Sequence, residues 1–260
     1  DTGEGNEIGR HLRMKREKRS IQNTEPGAGR PEKPFIQAVV FDLDGVLVDS
    51  EGLHARAWEQ VFQARGLPVP EDIEGRFTGV ADVKVAEILG VEYGIPGERG
   101  RLLGEKRRAY KDLVKNGLHP YPGVVEEIDR LREDFPGLKL GVATSSGKGE
   151  TLRMLKICGL EGRFGVVVTA DDVRTLKPAP ESYLLACSRL GVSPKESGAV
   201  EDSPAGIEAA LAAGMYVIAV PTTREPDALS AAPEIADAPE TAESPAQAIK
   251  KLREYLGGGI

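Results

Sequence analysis

Five short runs of apolar, often β-branched residues constrain the fold of this chain more than any other feature. Each run has the length of a buried parallel strand, and segments with the apolar spacing of amphipathic helices lie between the later runs. The runs cover residues 35–41, 138–143, 166–169, 198–200 and 216–220. Strands that alternate with helices predict an α/β fold with a Rossmann-like, doubly wound parallel sheet.

One long segment interrupts this alternation. Between the first two runs, residues 50–66, 80–94 and 97–117 have helical apolar spacing, and no strand-like run lies among them. Such a segment is too long for a simple crossover and too helical for a loop. We therefore predict a helical cap domain at residues 51–118, inserted into the sheet domain.

The beginning of the chain differs from the rest. Within residues 1–34, a cluster of basic residues comes first, and several proline and glycine residues then interrupt any periodic pattern. A charged segment without apolar periodicity cannot bury enough surface to fold by itself. We predict a disordered N-terminal arm at residues 1–34, and a catalytic core formed by residues 35–50 and 119–260.

Charge and cysteine content narrow the range of partners. The formal net charge of −7 argues against a nucleic-acid binder, which would normally have a basic face. The two cysteines, Cys158 and Cys187, lack metal-ligand spacing, so we predict that both pack in the core of a cytoplasmic protein. No apolar run reaches the roughly 18 residues of a membrane span. We expect a monomer that binds neither nucleic acid nor a membrane.

Two aspartates follow the first apolar run directly. Asp42 and Asp44 precede Gly45, which permits a sharp turn out of the sheet. Because a buried carboxylate without a partner is costly, this strand end indicates a bound cation. The alternative is that the two aspartates only cap a loop.

Other strand ends also carry polar groups, which disfavours the loop-capping alternative. Thr144, Ser145 and Ser146 follow the second run, Lys177 follows the third, and Glu201 and Asp202 follow the fourth. In parallel sheets, ligands bind beyond the carboxyl ends of the strands. Carboxylate oxygens suit Mg²⁺, while lysine and hydroxyl groups suit phosphate oxygens. Asp171 and Asp172 are expected to orient Lys177, although they could instead solvate a loop.

In this order, the motifs resemble those of the haloacid dehalogenase superfamily. They are Phe-Asp-Leu-Asp-Gly-Val-Leu-Val-Asp-Ser at residues 41–50, Ala-Thr-Ser-Ser at 143–146, Lys-Pro-Ala-Pro at 177–180 and Glu-Asp-Ser-Pro-Ala-Gly at 201–206. The resemblance covers residues 35–250. It extends to the branch with a helical cap after the first strand, typified by β-phosphoglucomutase and its sugar-phosphate phosphatase relatives.

This resemblance implies a mechanism through an aspartyl phosphate. Asp42 matches the nucleophile and Asp44 matches the general acid/base. The implied Mg²⁺ ligands are Asp42, Asp44 through its backbone carbonyl, Glu201 and Asp202. The implied phosphate-binding residues are Thr144, Ser145 and Lys177, and the implied cap residues facing the substrate are His54 and Lys106. An ordinary polar helix position is the alternative for His54, and Trp58 is expected in the cap core.

The implied reaction is hydrolysis of a small phosphomonoester, such as a sugar phosphate or a phosphoglycolate-like compound, with phosphomutase activity as the alternative. Where the mutase has an arginine that binds a second phosphate, this chain has Asp82. The carboxylate of Asp82 would repel that phosphate. Lys84 or Arg76 could replace that arginine. The second aspartate, Asp44, disfavours metal-free dehalogenation. A phospho-acceptor signalling domain uses similar residue types but has neither this motif order nor such a cap.

Overall fold

The computed structural model describes residues 35–71, 73–77, 82–220 and 240–258. The predicted N-terminal arm lies outside these residues. Within the described ranges, no helix combines the length and the apolar character that crossing a membrane requires.

A parallel sheet lies at the centre of the described chain. Its strands are β1 (Ala38–Phe41), β2 (Lys139–Ala143), β3 (Val166–Val168), β4 (Ser197–Glu201), β5 (Tyr216–Ala219) and β6 (Glu240–Thr241). The strand order is β3-β2-β1-β4-β5-β6, so β1 is central and the chain crosses from one side of it to the other between β3 and β4. This order confirms the predicted doubly wound fold. The first strand begins later than predicted, at Ala38, and Phe35 is exposed.

Helices cover both faces of the sheet and form the insertion between β1 and β2. They are α1 (Glu51–Ala64), α2 (Ile73–Phe77), α3 (Asp82–Glu92), α4 (Arg99–Gly117), α5 (Val124–Asp134), α6 (Lys148–Ile157), α7 (Glu181–Leu190), α8 (Pro204–Ala212) and α9 (Pro245–Gly257). Short 3₁₀ turns precede α4, α7 and β4. The α2, α6 and α9 helices and the β6 strand were not predicted individually.

Alternate residues of β1 face two apolar layers, as strand geometry requires. Val39 and Phe41 pack in a cluster with apolar side chains of α5, α6 and α9. Ala38 and Val40 pack on the other face, in a cluster with α7 and α8. Both cysteines are buried in these clusters and neither forms a disulfide, which confirms their predicted packing role.

Helices α1–α4 form the predicted helical insertion and have an apolar cluster of their own. Trp58, Phe62, Leu89 and Leu102 are among its buried members. Other residues of α1 and α4 pack against the core of the sheet. The insertion is therefore stabilised both internally and by the sheet layer beneath it.

The chain enters and leaves this insertion at one place. Val48, before α1, forms an antiparallel bridge with Pro120, after α4. The N–H group of Asp49 donates to the carbonyl of His119 at 3.0 Å, and that of Tyr121 donates to Leu47 at 3.2 Å. The two connections are therefore paired with each other beside the end of β1.

A buried carboxylate shapes the turn from β4 into α8. Glu201 is fully buried, and its Oε2 accepts hydrogen bonds from the N–H groups of Asp202 at 3.0 Å and Ser203 at 3.1 Å. Ser203 caps α8, because its Oγ accepts from the Gly206 N–H at 3.1 Å. A Cβ atom at Gly206 would lie 1.8 Å from Glu201 Oε1. Only glycine at this position leaves room for the Glu201 carboxylate.

We predict that Gly206→Ala destabilises the protein by about 1–3 kcal/mol, because Glu201 must move off its hydrogen-bond partners. Gly149→Ala is the matched control, since Gly149 also lies in the first turn of a helix and a Cβ there meets no atom within 4 Å. Urea denaturation of both variants checks this. Equal stability of Gly206→Ala and Gly149→Ala would contradict the steric argument.

Candidate active site

A cavity of about 760 Å³ lies between the carboxyl edge of the sheet and the helical insertion. The predicted site residues that line it are Asp42, Asp44, His54, Lys106, Thr144, Ser145, Lys177 and Asp202. The structure thus brings together residues that lie far apart in the sequence. Glu201 is the one predicted site residue that does not line this cavity.

Asp42 and Lys177 form an ion pair at the base of the cavity. Asp42 follows β1, and its N–H donates to the Val200 carbonyl at 3.0 Å, which continues the pairing of β1 with β4. The Lys177 ammonium donates to Asp42 Oδ1, to Glu201 Oε1 at 2.6 Å and to the Ala143 carbonyl at 2.9 Å. The side chains of Lys177 and Asp42 are only 6% and 10% exposed. The ammonium therefore joins groups from the ends of β1, β2 and β4.

Burial and charge act against each other in this cluster. Burial raises the pKa of Asp42, and the positive charge of Lys177 opposes this rise. For Lys177, burial favours the neutral amine, but the carboxylates of Asp42 and Glu201 together raise its pKa above the usual value. The lysine therefore remains a cation in spite of its burial.

Tyr183 completes the cluster and was not predicted as a site residue. Its hydroxyl donates to Glu201 Oε1 at 2.8 Å and lies 3.3 Å from Lys177 Nζ. Burial, followed by the charge of Glu201, raises the pKa of Tyr183 well above its usual value, so the hydroxyl keeps its proton. In the sequence, Tyr183 is one apolar position on the buried face of α7, and no local signal distinguishes it.

Glu201 lies beneath the cavity, although the sequence analysis predicted that it is a direct metal ligand. Its Oε1 binds Lys177 and Tyr183, and its Oε2 accepts from the backbone N–H groups of Asp202 and Ser203. Both oxygens thus have partners within the protein. The position of Glu201 indicates that it holds Lys177 in place.

Asp44 is held by two serines. Ser50, which precedes α1, donates to Oδ1 at 2.5 Å, and Ser146 donates to Oδ2 at 2.8 Å. The N–H of Ser146 in turn donates to Thr144 Oγ1 at 3.0 Å. Hydroxyls from two separate segments therefore fix the orientation of the Asp44 carboxylate. The sequence motifs include both serines but give no indication of this contact.

The oxygen groups at the cavity base fit Mg²⁺ together with a phosphate. Asp42, Asp44 and Asp202 all line the cavity. A Cβ atom at Gly45 would lie 2.0 Å from Asp202 Oδ2, so Asp202 packs directly on the loop that carries the other two carboxylates. Among the described residues, no three His, Cys, Asp or Glu side chains are placed to hold a metal ion by themselves. Mg²⁺ does not need such a set, because it keeps several waters and is bound by one or two carboxylates plus phosphate oxygens.

A second buried lysine lies on the insertion side of the cavity. Lys106 is 1% exposed, and its Nζ lies 2.6 Å from both Asp82 Oδ2 and His54 Nδ1. The same ammonium lies 4.4 Å from the centre of the Tyr110 ring. Burial, then the charge of Lys106, lowers the pKa of His54, so a neutral imidazole accepts a hydrogen bond from the Lys106 ammonium. Asp82 therefore balances the positive charge of Lys106 and also contributes a carboxylate to the cavity wall.

The proposed replacements for a distal arginine do not line the cavity. Arg76 pairs with Glu92, and Lys84 pairs with Glu87 at 3.2 Å on the exposed side of α3. Both side chains point to partners outside the site. The structure therefore does not support either residue as a substitute.

The expected role of Asp171 and Asp172 as partners of Lys177 is wrong. Asp172 accepts from the N–H of Thr169 at 3.0 Å and pairs with Arg189 at 2.8 Å, which shapes the short 3₁₀ turn after β3. Asp171 Oδ2 accepts from the N–H of Lys148 at 2.8 Å. Both carboxylates stabilise local loop structure, which is the alternative that the sequence left open.

Comparison with known proteins agrees with this geometry. Residues 39–220 match the family described as haloacid dehalogenase-like hydrolase. The phosphorylated carbohydrates phosphatase of Thermotoga maritima is 36% identical over 184 residues, which cover 69% of this chain and 82% of that protein. The β-phosphoglucomutase of Bacillus subtilis is 30% identical over 193 residues, which cover 71% of this chain and 83% of the mutase.

A solved structure shows the same architecture. CbbY from Rhodobacter sphaeroides in complex with phosphate has a TM-score of 0.65 and 27% identity, and the match covers 82% of this chain and 96% of CbbY. The family match spans β1 to β5, the helical insertion and every strand-end motif described above. By sequence and by fold, this chain therefore belongs to the haloacid dehalogenase-like hydrolase family.

Proposed function

We propose that the protein hydrolyses the phosphomonoester of a small phosphorylated sugar, with Asp42 as the nucleophile and Mg²⁺ as the cofactor. The observation that carries this proposal is the buried Asp42–Lys177 ion pair at the base of a cavity of about 760 Å³. A carboxylate and an ammonium at this position suit attack on a phosphate group. The phosphatase among the relatives supports the same reaction class.

The first step is attack by Asp42 on phosphorus. Lys177 holds Oδ1, and no described residue donates a hydrogen bond to Oδ2, so we assign Oδ2 as the attacking oxygen. A bond forms between Oδ2 and phosphorus while the bond from phosphorus to the sugar oxygen breaks. Asp44, in its protonated form, gives its proton to that sugar oxygen. The products are the free sugar alcohol group and an aspartyl phosphate.

The second step regenerates the enzyme. A water molecule attacks the aspartyl phosphate, and Asp44 accepts its proton as the bond from phosphorus to Asp42 breaks. Ser50 and Ser146 keep the Asp44 carboxylate in a fixed orientation during both transfers. The helical insertion covers the cavity and limits the access of other water.

Positive charge and hydrogen-bond donors stabilise the phosphate during both steps. Lys177, Thr144 and Ser145 line the cavity base and would bind phosphate oxygens. The carboxylates of Asp42 and Asp202 and the backbone carbonyl of Asp44 would hold Mg²⁺, with Glu201 fixing Lys177 from below. When bound, Mg²⁺ supplies positive charge that offsets the negative charge of the transferring group.

Phosphomutase activity is the second candidate, because the Bacillus subtilis relative is a β-phosphoglucomutase. A mutase must bind a second phosphate at the far side of the cavity. The buried cation there, Lys106, is already paired with Asp82 at 2.6 Å. We therefore favour water as the second acceptor.

We predict that Asp42→Asn lowers kcat by at least about a thousandfold, because an amide cannot form the aspartyl phosphate. The measurement is phosphate release from a panel of sugar monophosphates, together with acid-quench mass spectrometry of the phosphorylated enzyme. Asp112→Asn, an exposed position on α4, is the matched control and should keep wild-type rates. Normal turnover by Asp42→Asn would exclude Asp42 as the nucleophile.

We also predict that EDTA abolishes activity and that Mg²⁺ restores it. Asp202→Asn should raise the Mg²⁺ concentration for half-maximal activity by at least about tenfold, because one oxygen ligand is lost. Asp171→Asn is its control, since Asp171 also lines the cavity but binds the Lys148 N–H. Activity that survives EDTA, or equal Mg²⁺ requirements of the two variants, would argue against this metal site.

A further inference from the structure

Glu150 is a carboxylate in the cavity that the proposed reaction does not use. It lies in the first turn of α6, is half-buried and lines the cavity. The nearby charged groups are Asp44, Lys106, Asp82 and Arg153. Glu150 therefore lies at the cavity wall near Asp44, the residue that we propose to protonate the leaving group.

The buried cation on this side of the cavity is already paired with other groups. Lys106 is bonded to Asp82 and to the neutral His54 at 2.6 Å each. Arg153, one turn after Glu150 on α6, is exposed and also lines the cavity. Within the described chain, neither cation forms a hydrogen bond or an ion pair with Glu150.

No residue in the described chain donates a hydrogen bond to the Glu150 carboxylate. Burial, followed by the charge of Asp44, raises the pKa of Glu150, as expected for a carboxylate that lacks full compensation. An acidic residue in the first turn also favours the helix. That effect explains the residue type at this position, but it does not supply a partner for the carboxylate.

We propose that Glu150 accepts a hydrogen bond from a hydroxyl group of the substrate, and so selects sugar monophosphates over bisphosphates. Hydroxyl groups of a sugar supply the donors that this carboxylate lacks. A second phosphate would bring further negative charge toward Asp82 and Glu150, which is unfavourable at short range. This inference rests on the proposed phosphatase function.

Three substrates separate the contributions to specificity. A hexose monophosphate carries hydroxyl groups, p-nitrophenyl phosphate carries none on its leaving group, and a hexose bisphosphate adds the second phosphate. For Glu150→Ala, kcat/KM for the hexose monophosphate should fall about tenfold to a hundredfold, mainly through KM. Turnover of p-nitrophenyl phosphate should stay within about twofold, because its leaving group has no hydroxyl to lose.

Two further variants sharpen the test. Glu150→Gln keeps an acceptor oxygen but loses the charge, so it should lose less activity on the monophosphate than Glu150→Ala. In both variants, the kcat/KM ratio of bisphosphate to monophosphate should rise. Glu208→Gln, at an exposed position on α8, removes a charge outside the cavity and should change none of these ratios. If Glu150→Ala does not fold, the bisphosphate ratio of Glu150→Gln decides.

The outcomes distinguish this inference from the proposed function. Wild-type protein that hydrolyses none of the three phosphates would refute the phosphatase proposal itself. Active wild-type protein with equal losses on all substrates in Glu150→Ala would show a general structural role, and would overturn the specificity inference. A wild-type preference for the bisphosphate would overturn it as well, and would point to the exposed Arg107 and Lys111 at the cavity as a second phosphate site.

Discussion

The ammonium group of Lys177 is the interaction on which the site depends. It contacts Asp42 after β1, the Ala143 carbonyl at the end of β2, and Glu201 at the end of β4. A buried ion pair contributes little net stability, but removal of one partner leaves an uncompensated charge that costs about 3–5 kcal/mol. The cluster therefore tolerates few changes. It fixes three strand ends relative to one another, and with them the carboxylate that we propose as the nucleophile.

The two buried lysines serve different ends of one cavity. Lys177 is balanced by two carboxylates and lies where the phosphate would bind. Lys106 is balanced by one carboxylate and by a neutral imidazole, and it belongs to the helical insertion. In the proposed mechanism, the sheet thus provides the reactive groups, whereas the insertion provides charged groups that would contact the rest of the substrate. This division explains how chemistry and selectivity can be carried by separate parts of the chain.

Much of the fold and of the catalytic centre was predictable, because the signals are local. Strands appear as apolar runs, Asp42, Thr144 and Asp202 lie just after the ends of such runs, and Lys177 lies in the loop after the third. The remaining features depend on contacts between distant segments. Tyr183 has the spacing of an ordinary core residue, and Glu150 is an acidic residue in the first turn of a helix, which is a common position. The burial of Glu201 beneath Lys177 follows only from the packing of α7 and α8 against the sheet.

The paired connections at the base of the insertion have an evolutionary consequence. Val48 and Pro120 bridge the segments that lead into and out of α1–α4, so both chain connections to the insertion lie side by side. A replacement module of another size needs two ends at that spacing and an apolar face for the sheet core. New substrate ranges can therefore arise by exchange of the module, while the residues at the strand ends stay unchanged.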